Sequence, residues 1–398
     1  MTAASGSQAN QAVEEVSSTK SDVPIRPARV ERALGPIAFF LPSLRGGGAE
    51  RVTVNLAQGM TERGLPVDLV VASAEGELLE QLPPAVRLVD FHLSRVLPSL
   101  IPLIAYIRRE RPRVVISAMG HANLVALWAA RLALRGTPVM VTVHTTVSQF
   151  GSLKGRLARK LWPSLMRIFY PWADSVVAVS SGSADDLTRL SGLLRHRINV
   201  IYNPVITPAA LAGAAQPPDH PWFAPGQPPV ILGVGRLTAS KDFPMLMRAF
   251  GEVRRRRVAR LMILGEGEER SALDALAVEL GLAGDVALPG FRANVMAYLA
   301  GSALFVLSST YEGLPTALIE ALAAGTRVVS TDCPNGPREI LQNGKLGTLV
   351  PVGDTIALAN AMQAALDRPR PTIPLDALAP FTRDVAIEQY LRLIEKTS

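Results

Sequence analysis

Residues 309–321 read STYEGLPTALIEA, and the apolar run ALFVL at residues 303–307 comes shortly before them. A continuous apolar run of this length is typical of a strand that is buried on both faces. Pro315 and Thr316 suit the first turn of a helix, and most of the residues that follow them are apolar. The stretch therefore predicts a buried strand, a loop and a helix, which together form the repeating unit of a parallel α/β sheet.

Two glutamates lie in this stretch, Glu312 in the loop and Glu320 about one turn into the helix. The free N–H groups and the dipole at a helix N-terminus favour phosphate. Carboxylates accept hydrogen bonds from hydroxyl groups. Two such acceptors beside a phosphate cradle predict a site for a nucleotide sugar.

The same alternation of short apolar strands and helical segments runs along most of the chain. In the first half, strands are predicted at residues 37–41, 67–71, 114–117, 139–143, 176–179 and 198–201. In the second half, they are predicted at residues 230–234, 260–264, 286–288, 303–307, 327–330 and 348–350. The predicted fold class is α/β, with two doubly wound, Rossmann-like domains that face each other across a cleft.

Changes in composition predict the domain boundaries. Residues 1–35 are rich in Ser, Ala, Gln and Glu, and we expect a disordered tail there. Residues 207–229 are rich in Pro, Ala, Gly and Gln, as in a linker, so the two domains are predicted at residues 36–206 and 230–380. Residues 381–398 have helical spacing of apolar residues, and this helix is expected to pack back on the N-terminal domain.

Composition also limits the class of protein. The chain has 398 residues, of which 48% are hydrophobic and 19% charged, as in a globular protein. The single cysteine, Cys333, excludes a disulfide framework and a cysteine-based metal site. The sequence shows neither a signal peptide nor an apolar run of membrane-spanning length, which predicts a cytoplasmic protein. The net charge of +7 indicates an acidic partner, which on charge alone is nucleic acid, an anionic membrane or a phosphorylated ligand.

Basic residues and glycines follow several predicted strands. Arg236 offers a planar fork for phosphate oxygens, and Lys241 offers a mobile point charge. Both follow the strand at residues 230–234, whose carboxyl end should open into the crevice, so diphosphate binding is favoured over a solvated basic loop. Gly47 and Gly48 stand directly before a helix, where the backbone can approach a ligand closely.

Two histidines occupy similar positions. His144 ends the strand at residues 139–143, and His121 follows the strand at residues 114–117. A histidine at a strand end beside the crevice is a candidate polar group for the reacting centre. For each of them a purely structural role is the alternative.

Several motifs in chain order resemble glycosyltransferase family 4, which consists of retaining enzymes with the GT-B fold. The resemblance covers residues 36–398. Its motifs are GGGAER at 46–51, GRL at 235–237 with Lys241, GEG at 265–267, PGF at 289–291, the two glutamates and GKLGTLVP at 344–351. The segment TDCPNGPRE at 331–339, and the loop EGLPT in place of the common EGFGLP, are similar to the subgroup that builds bacterial surface polysaccharides.

The resemblance implies roles in binding the donor. It implies that Glu320 accepts hydrogen bonds from the ribose and that Glu312 holds the hydroxyls of the donor sugar. Arg236 and Lys241 would neutralise the departing diphosphate. Because Pro315 has no N–H, the loop amides that remain for the donor are those of Gly313, Leu314 and Thr316.

Further roles follow from the same resemblance. His144 would lie close to the donor sugar, and His121 would lie on the acceptor side in the N-terminal domain. The glycine loop would face the donor from that domain, whereas the loops after two C-terminal strands would hold the nucleoside. The residues implied in these loops are Gly47, Gly48, Gly265, Gly290, Phe291 and Arg292.

The function implied is retaining transfer of a sugar from a nucleoside diphosphate sugar, UDP- or GDP-linked, to a hydroxyl. The implied acceptor is a polysaccharide or a lipid-linked oligosaccharide at the cytoplasmic face of the plasma membrane. No other cofactor and no metal are expected, and the chain contains no Asp-x-Asp motif. Two alternatives are a nucleotide-sugar epimerase, for which only His144 could serve as the base, and a non-catalytic GT-B binding subunit.

Residues 153–167, LKGRLARKLWPSLMR, alternate basic and apolar residues around Trp162. Such a segment can lie on an anionic membrane surface, and a solvated surface helix is the alternative. Pro163 is expected to interrupt any long helix. No helix-turn-helix, zinc or RNA-binding pattern accompanies the basic residues, so nucleic acid is not an expected partner.

Overall fold

The computed structural model describes residues 35–45, 47–144 and 156–397, with the backbone alone for residues 156–160. Residues 36–398 form one compact unit. Most of the predicted tail lies outside the described residues, as does one glycine of the glycine loop, Gly46. Residues 145–155, which include the start of the basic segment, also lie outside them.

The N-terminal half forms a parallel sheet of seven strands in the order β3-β2-β1-β4-β5-β6-β7. Its strands are β1 (Ile37–Leu41), β2 (Val67–Val71), β3 (Arg87–Asp90), β4 (Val114–Ala118), β5 (Val139–Val143), β6 (Ser175–Ala178) and β7 (Ile198–Val200).

The C-terminal half forms a parallel sheet of six strands in the order β10-β9-β8-β11-β12-β13. Its strands are β8 (Val230–Val234), β9 (Arg260–Leu264), β10 (Val286–Gly290), β11 (Leu304–Leu307), β12 (Val328–Thr331) and β13 (Thr348–Val350).

Helices connect the strands, as parallel pairing requires. Those that accompany the first sheet are α1 (Gly48–Glu62), α2 (Leu100–Glu110), α3 (Gly120–Ala133), α4 (Arg156–Phe169) and α5 (Ser181–Ser191). Helix α6 (Pro208–Ala214) lies in the predicted linker. The remaining helices are α7 (Phe243–Arg254), α8 (Arg270–Glu279), α9 (Val295–Gly301), α10 (Thr316–Ala323), α11 (Pro337–Ile340), α12 (Thr355–Asp367), α13 (Leu375–Leu378) and α14 (Arg383–Thr397).

The predicted fold class is therefore confirmed. One strand, β3, was missed because its sequence RLVD begins and ends on charged residues and its side chains are only partly buried. Each sheet has two buried apolar clusters, one on each face, which is why the other strands are continuously apolar.

Each sheet has a point at which the order of its strands reverses, between β1 and β4 in the first sheet and between β8 and β11 in the second. Loops that leave neighbouring strands in opposite directions open a crevice at such a point, where α/β proteins bind ligands. The glycine loop follows β1, and the loop that carries Glu312 follows β11.

The last helix, α14, packs against α1 of the first sheet. Its residues Ala386, Ile387, Tyr390 and Ile394 are buried in the same apolar cluster as Met60 of α1. Two ion pairs border this contact, between Arg383 and Glu62 and between Arg63 and Asp384. The chain thus returns to the N-terminal half after completing the second sheet.

Candidate active site

The loops that leave β8 and β11 bring Lys241 and Glu312 together. The Nζ atom of Lys241 lies 2.5 Å from Oε1 of Glu312, and the hydroxyl of Ser309 donates to the same oxygen at 2.6 Å. The two charged side chains are only 22% and 11% exposed. Such a pair is weakly screened by solvent, so its charges act strongly on any group that binds beside it.

Unpaired backbone amides adjoin this ion pair. Pro315 is the N-cap residue of α10, which begins at Thr316. Among the described residues, the N–H groups of Gly313, Leu314 and Thr316 have no hydrogen-bond partner. The start of this eight-residue helix can therefore donate several hydrogen bonds to an anion.

Arg236 is not part of the Lys241–Glu312 pair. Its side chain is 77% exposed, and its ion pair within the described residues is with Glu268, at 4.0 Å. An exposed pair at this separation contributes little to stability, so the guanidinium is available to a ligand.

Glu320 is half-buried on the second turn of α10. Burial raises the pKa of this carboxyl, and the positive charge of Arg51 on α1 acts in the opposite direction. Arg51 belongs to the glycine-loop helix of the first sheet. Glu320 therefore lies within electrostatic range of the N-terminal half of the molecule.

The glycine loop contains a carboxyl group that sequence analysis missed. Gly48 has open space around its Cα, whereas a side chain at Gly47 would collide with the carboxyl of Glu50. Glu50 is buried, and its Oε2 has no partner among the described residues. Burial raises its pKa. The only sequence signal for this residue was its position in the GGGAER motif.

His144 follows β5 directly, and its Nε2 lies 3.0 Å from the hydroxyl of Thr142. Burial lowers its pKa to about 4, although a contact with Asn203 opposes this shift. The imidazole is therefore neutral near pH 7. His121 lies in the first turn of α3 and is exposed.

The loops predicted to hold a nucleoside meet in the second half. Gly265 has φ +137°, and a side chain there would collide with the carbonyl of Gly235, so this glycine allows the loops after β8 and β9 to touch. Its N–H donates to the carbonyl of Gly290 at 3.0 Å. Phe291 presents an exposed ring, and Arg292 donates to the hydroxyl of Tyr298 at 3.2 Å.

The two halves of the molecule also touch through helix α5. Ser180 and Ser183 place their hydroxyls 2.8 Å and 3.3 Å from the carbonyl oxygen of Gly313. The carboxylate of Glu339 accepts from the N–H of Ser181, and it also accepts from the hydroxyl of Tyr202 at 2.5 Å. Sequence analysis placed Gly313 in the donor loop but predicted none of these contacts, because the partners lie more than a hundred positions apart in the chain.

Helix α4 differs from the prediction for residues 153–167. It continues through Pro163 instead of being interrupted there, and Trp162 is buried against Gly120 rather than exposed at the edge of the basic face. Its exposed apolar side chains are Leu161 and Ile168. Lys154 lies outside the described residues, and so do the side chains of residues 156–160.

The described part of the chain lacks two kinds of feature. None of its helices is both long and apolar enough to cross a membrane. It also contains no cluster of three or more His, Cys, Asp or Glu side chains suited to a metal ion.

Two family models match the chain, and together they cover more than half of it. The model described as Glycosyltransferase Family 4 matches residues 46–207, and the model described as Glycosyl transferases group 1 matches residues 228–368. The chain belongs to glycosyltransferase family 4. It is therefore a glycosyltransferase, as the motifs predicted.

Curated relatives match most of the chain. One is the lipopolysaccharide core biosynthesis glycosyltransferase LpsE of Rhizobium meliloti, 28% identical over 88% of this chain and 96% of its own. Another is the N-acetylgalactosamine-N,N'-diacetylbacillosaminyl-diphospho-undecaprenol 4-alpha-N-acetylgalactosaminyltransferase of Campylobacter jejuni, 27% identical over 83% of this chain and 90% of its own.

Solved structures confirm the GT-B fold of this glycosyltransferase. Anabaena HepE, crystallised with UDP and glucose, superposes with a TM-score of 0.70 at 22% identity, over 91% of this chain and all of its own. Sucrose-phosphate synthase from Thermosynechococcus elongatus superposes with a TM-score of 0.73 at 20% identity, over 91% of this chain and 98% of its own.

Proposed function

We propose that this glycosyltransferase moves a sugar, with retention of anomeric configuration, from a nucleoside diphosphate sugar to a hydroxyl of a growing polysaccharide or lipid-linked oligosaccharide. The observation that carries the proposal is the half-buried Lys241–Glu312 pair beside the unpaired amides at the start of α10. This arrangement offers a cation and several N–H donors to phosphate, together with a carboxylate for sugar hydroxyls.

The donor is bound in two parts. The diphosphate lies against the start of α10, where Lys241 and the exposed Arg236 supply positive charge. The ribose lies against Glu320, one turn further along the same helix. Phe291 and the main chain after Gly290 hold the base, which is uracil or guanine. The crystallisation of HepE with UDP supports uracil as the first choice.

Catalysis rests on stabilising the leaving group. As the bond between the sugar and the diphosphate breaks, negative charge grows on the phosphate, next to a cation and amides that are already in place. Glu312 holds the hydroxyls of the sugar, and the neutral His144 supplies a polar group from the N-terminal half. The two halves exclude water and so limit hydrolysis of the donor.

The acceptor is proposed from the relatives. LpsE acts in the biosynthesis of the lipopolysaccharide core, and the Campylobacter enzyme acts on a diphospho-undecaprenol glycan. Both names describe glycosyltransferases of lipid-linked glycans. We place the present enzyme at the cytoplasmic face of the plasma membrane, where such acceptors are extended, with His121 on the acceptor side of the crevice.

The test is a mass-spectrometric screen for consumption of UDP- and GDP-linked sugars in the presence of lipid-linked acceptors. We expect one donor to be consumed, and NMR of the product should show the anomeric configuration of the donor. An inverted product would refute the retaining mechanism. If no nucleotide sugar bound to the protein in calorimetry, the donor class itself would be wrong.

A further inference from the structure

A carbonyl group in the donor loop is held by the opposite half of the molecule. The hydroxyl of Ser180 donates to the carbonyl oxygen of Gly313 at 2.8 Å, and Ser183 places its hydroxyl 3.3 Å from the same oxygen. Both serines are fully buried at the N-terminus of α5. Ser180 also caps that helix, because its Oγ accepts from the N–H of Ser183 at 3.1 Å.

The geometry of the peptide group links this contact to the candidate site. The bond between Gly313 and Leu314 is planar and trans, so its C=O and N–H point in opposite directions. Since the carbonyl of Gly313 points towards α5, the N–H of Leu314 points away from α5. That N–H is one of the amides at the start of α10 with no partner in the described chain.

We propose that Ser180 and Ser183 are positioning residues that aim the Leu314 N–H at a phosphate of the donor. This inference rests on the proposed nucleoside diphosphate donor. The serines themselves do not touch the donor, because they act from behind the loop. If this peptide group flipped, the partly negative carbonyl oxygen of Gly313 would face the negatively charged phosphate and repel it.

The hydrogen-bonding capacity of the three groups supports this role. A carbonyl oxygen has two lone pairs, and each serine hydroxyl has one proton to donate. The two hydroxyl oxygens lie 2.9 Å apart, within hydrogen-bonding distance, so when Ser180 donates to Gly313, Ser183 can donate either to Gly313 or to Ser180. A buried carbonyl that loses such donors costs considerably more than the bond itself is worth, so the pair holds the peptide in one orientation.

The contact of Ser180 and Ser183 with the carbonyl of Gly313 also makes donor binding depend on both halves of the molecule. Glu312 and α10 belong to the second sheet, whereas α5 belongs to the first. If the halves separated, the carbonyl of Gly313 would lose its donors, and the phosphate site would lose its fixed amide. A nucleoside without phosphates should lose much less affinity than the diphosphate, because its proposed contacts, Glu320 and the loop after β10, both belong to the second half.

The experiment compares Ser180→Ala, Ser183→Ala and the double variant with the wild type by calorimetry. The ligands are the nucleoside diphosphate of the active donor and the corresponding nucleoside. We expect the double variant to bind the diphosphate about tenfold more weakly, with unchanged affinity for the nucleoside. Ser180→Thr retains the hydroxyl that Ser180→Ala lacks, and it should bind the diphosphate as the wild type does. Thr188→Ala is the matched control, because its hydroxyl donates within α5 itself, to the carbonyl of Ala184.

Other outcomes separate the possible errors. Equal losses for nucleoside and diphosphate would show a general structural role and overturn the inference. Unchanged diphosphate affinity in the double variant would also overturn it. If the double variant did not fold, Ser183→Ala would decide, since it removes only the longer contact and should still weaken diphosphate binding selectively. A wild-type protein that bound no nucleoside diphosphate would instead refute the proposed function.

Discussion

At the scale of single residues, Lys241 forms an ion pair with Glu312, whereas the sequence predicted that Lys241 acts together with Arg236. Removal of either partner deprives a largely buried charge of this ion pair, which is costly. We therefore expect Lys241→Ala and Glu312→Gln each to lower turnover strongly, and the double variant to lose much less than the sum of the two. A double-mutant cycle on kcat/KM measures this coupling.

Arg236→Ala provides the comparison for that cycle. Its side chain is exposed and pairs with Glu268 instead of Glu312, so its effect on kcat/KM should add to that of Glu312→Gln. The opposite result would be additive effects for the Lys241 and Glu312 substitutions and strong coupling between the Arg236 and Lys241 substitutions. The Lys241–Glu312 ion pair would then be unimportant in the complex with the donor. The basic pair predicted from the sequence would then be the functional unit.

His144 should make the protein sensitive to acid. Its pKa is lowered from 6.5 to about 4, so the unfolded chain binds a proton more readily than the folded one. The contribution of the neutral His144 to the free energy of unfolding is therefore complete above pH 6.5 and is lost as the pH falls through 4. The loss is up to about 3 kcal/mol for a shift of this size.

Urea unfolding of His144→Gln and wild type at a series of pH values tests this expectation. The difference in unfolding free energy between wild type and variant should shrink as the pH falls from 7 to 4. His196→Gln, which changes an exposed histidine, is the control. A variant that followed the wild-type curve throughout would show that His144 is not the group responsible.

At the scale of elements, the strands were predictable because both faces of each sheet are covered, which produces continuous apolar runs such as IAFFL in β1. The short strand β3 has no such pattern, and α6 was hidden in a Pro- and Ala-rich segment. The contacts of Ser180 and Glu339 could not be predicted, because they depend on how two distant loops meet.

Helix α4 also shows a limit of prediction from sequence. A proline inside a helix usually breaks it, yet Pro163 lies within α4, and its neighbour Trp162 is buried against α3. Burial of this tryptophan contributes apolar contact area that helps to offset the lost backbone hydrogen bond. Periodicity alone could not tell which apolar side chains of the helix face the core.

The basic segment around α4 should still bind anionic vesicles if it contacts the membrane. Replacement of Lys154, Arg156, Arg159 and Lys160 by Gln should weaken co-sedimentation with phosphatidylglycerol vesicles, because each basic residue near such a surface contributes roughly 1 kcal/mol. Wild-type binding should fall as salt rises. Arg254→Gln, Arg255→Gln and Arg256→Gln, on the second half, form the control. If vesicle binding did not depend on salt, or if the wild type did not bind vesicles, α4 would be an ordinary surface helix.

At the scale of the whole molecule, donor turnover should survive chelation of metals. The charge of the diphosphate is matched by Lys241, Arg236 and the amides at the start of α10, so the proposed mechanism needs no divalent ion. The measurement is turnover of the donor identified by the screen, with its acceptor, in excess chelator. Full loss of activity that magnesium or manganese restores, and monovalent salt does not, would contradict the mechanism. It would show that Lys241, Arg236 and the amides of α10 do not supply enough positive charge by themselves to stabilise the leaving diphosphate.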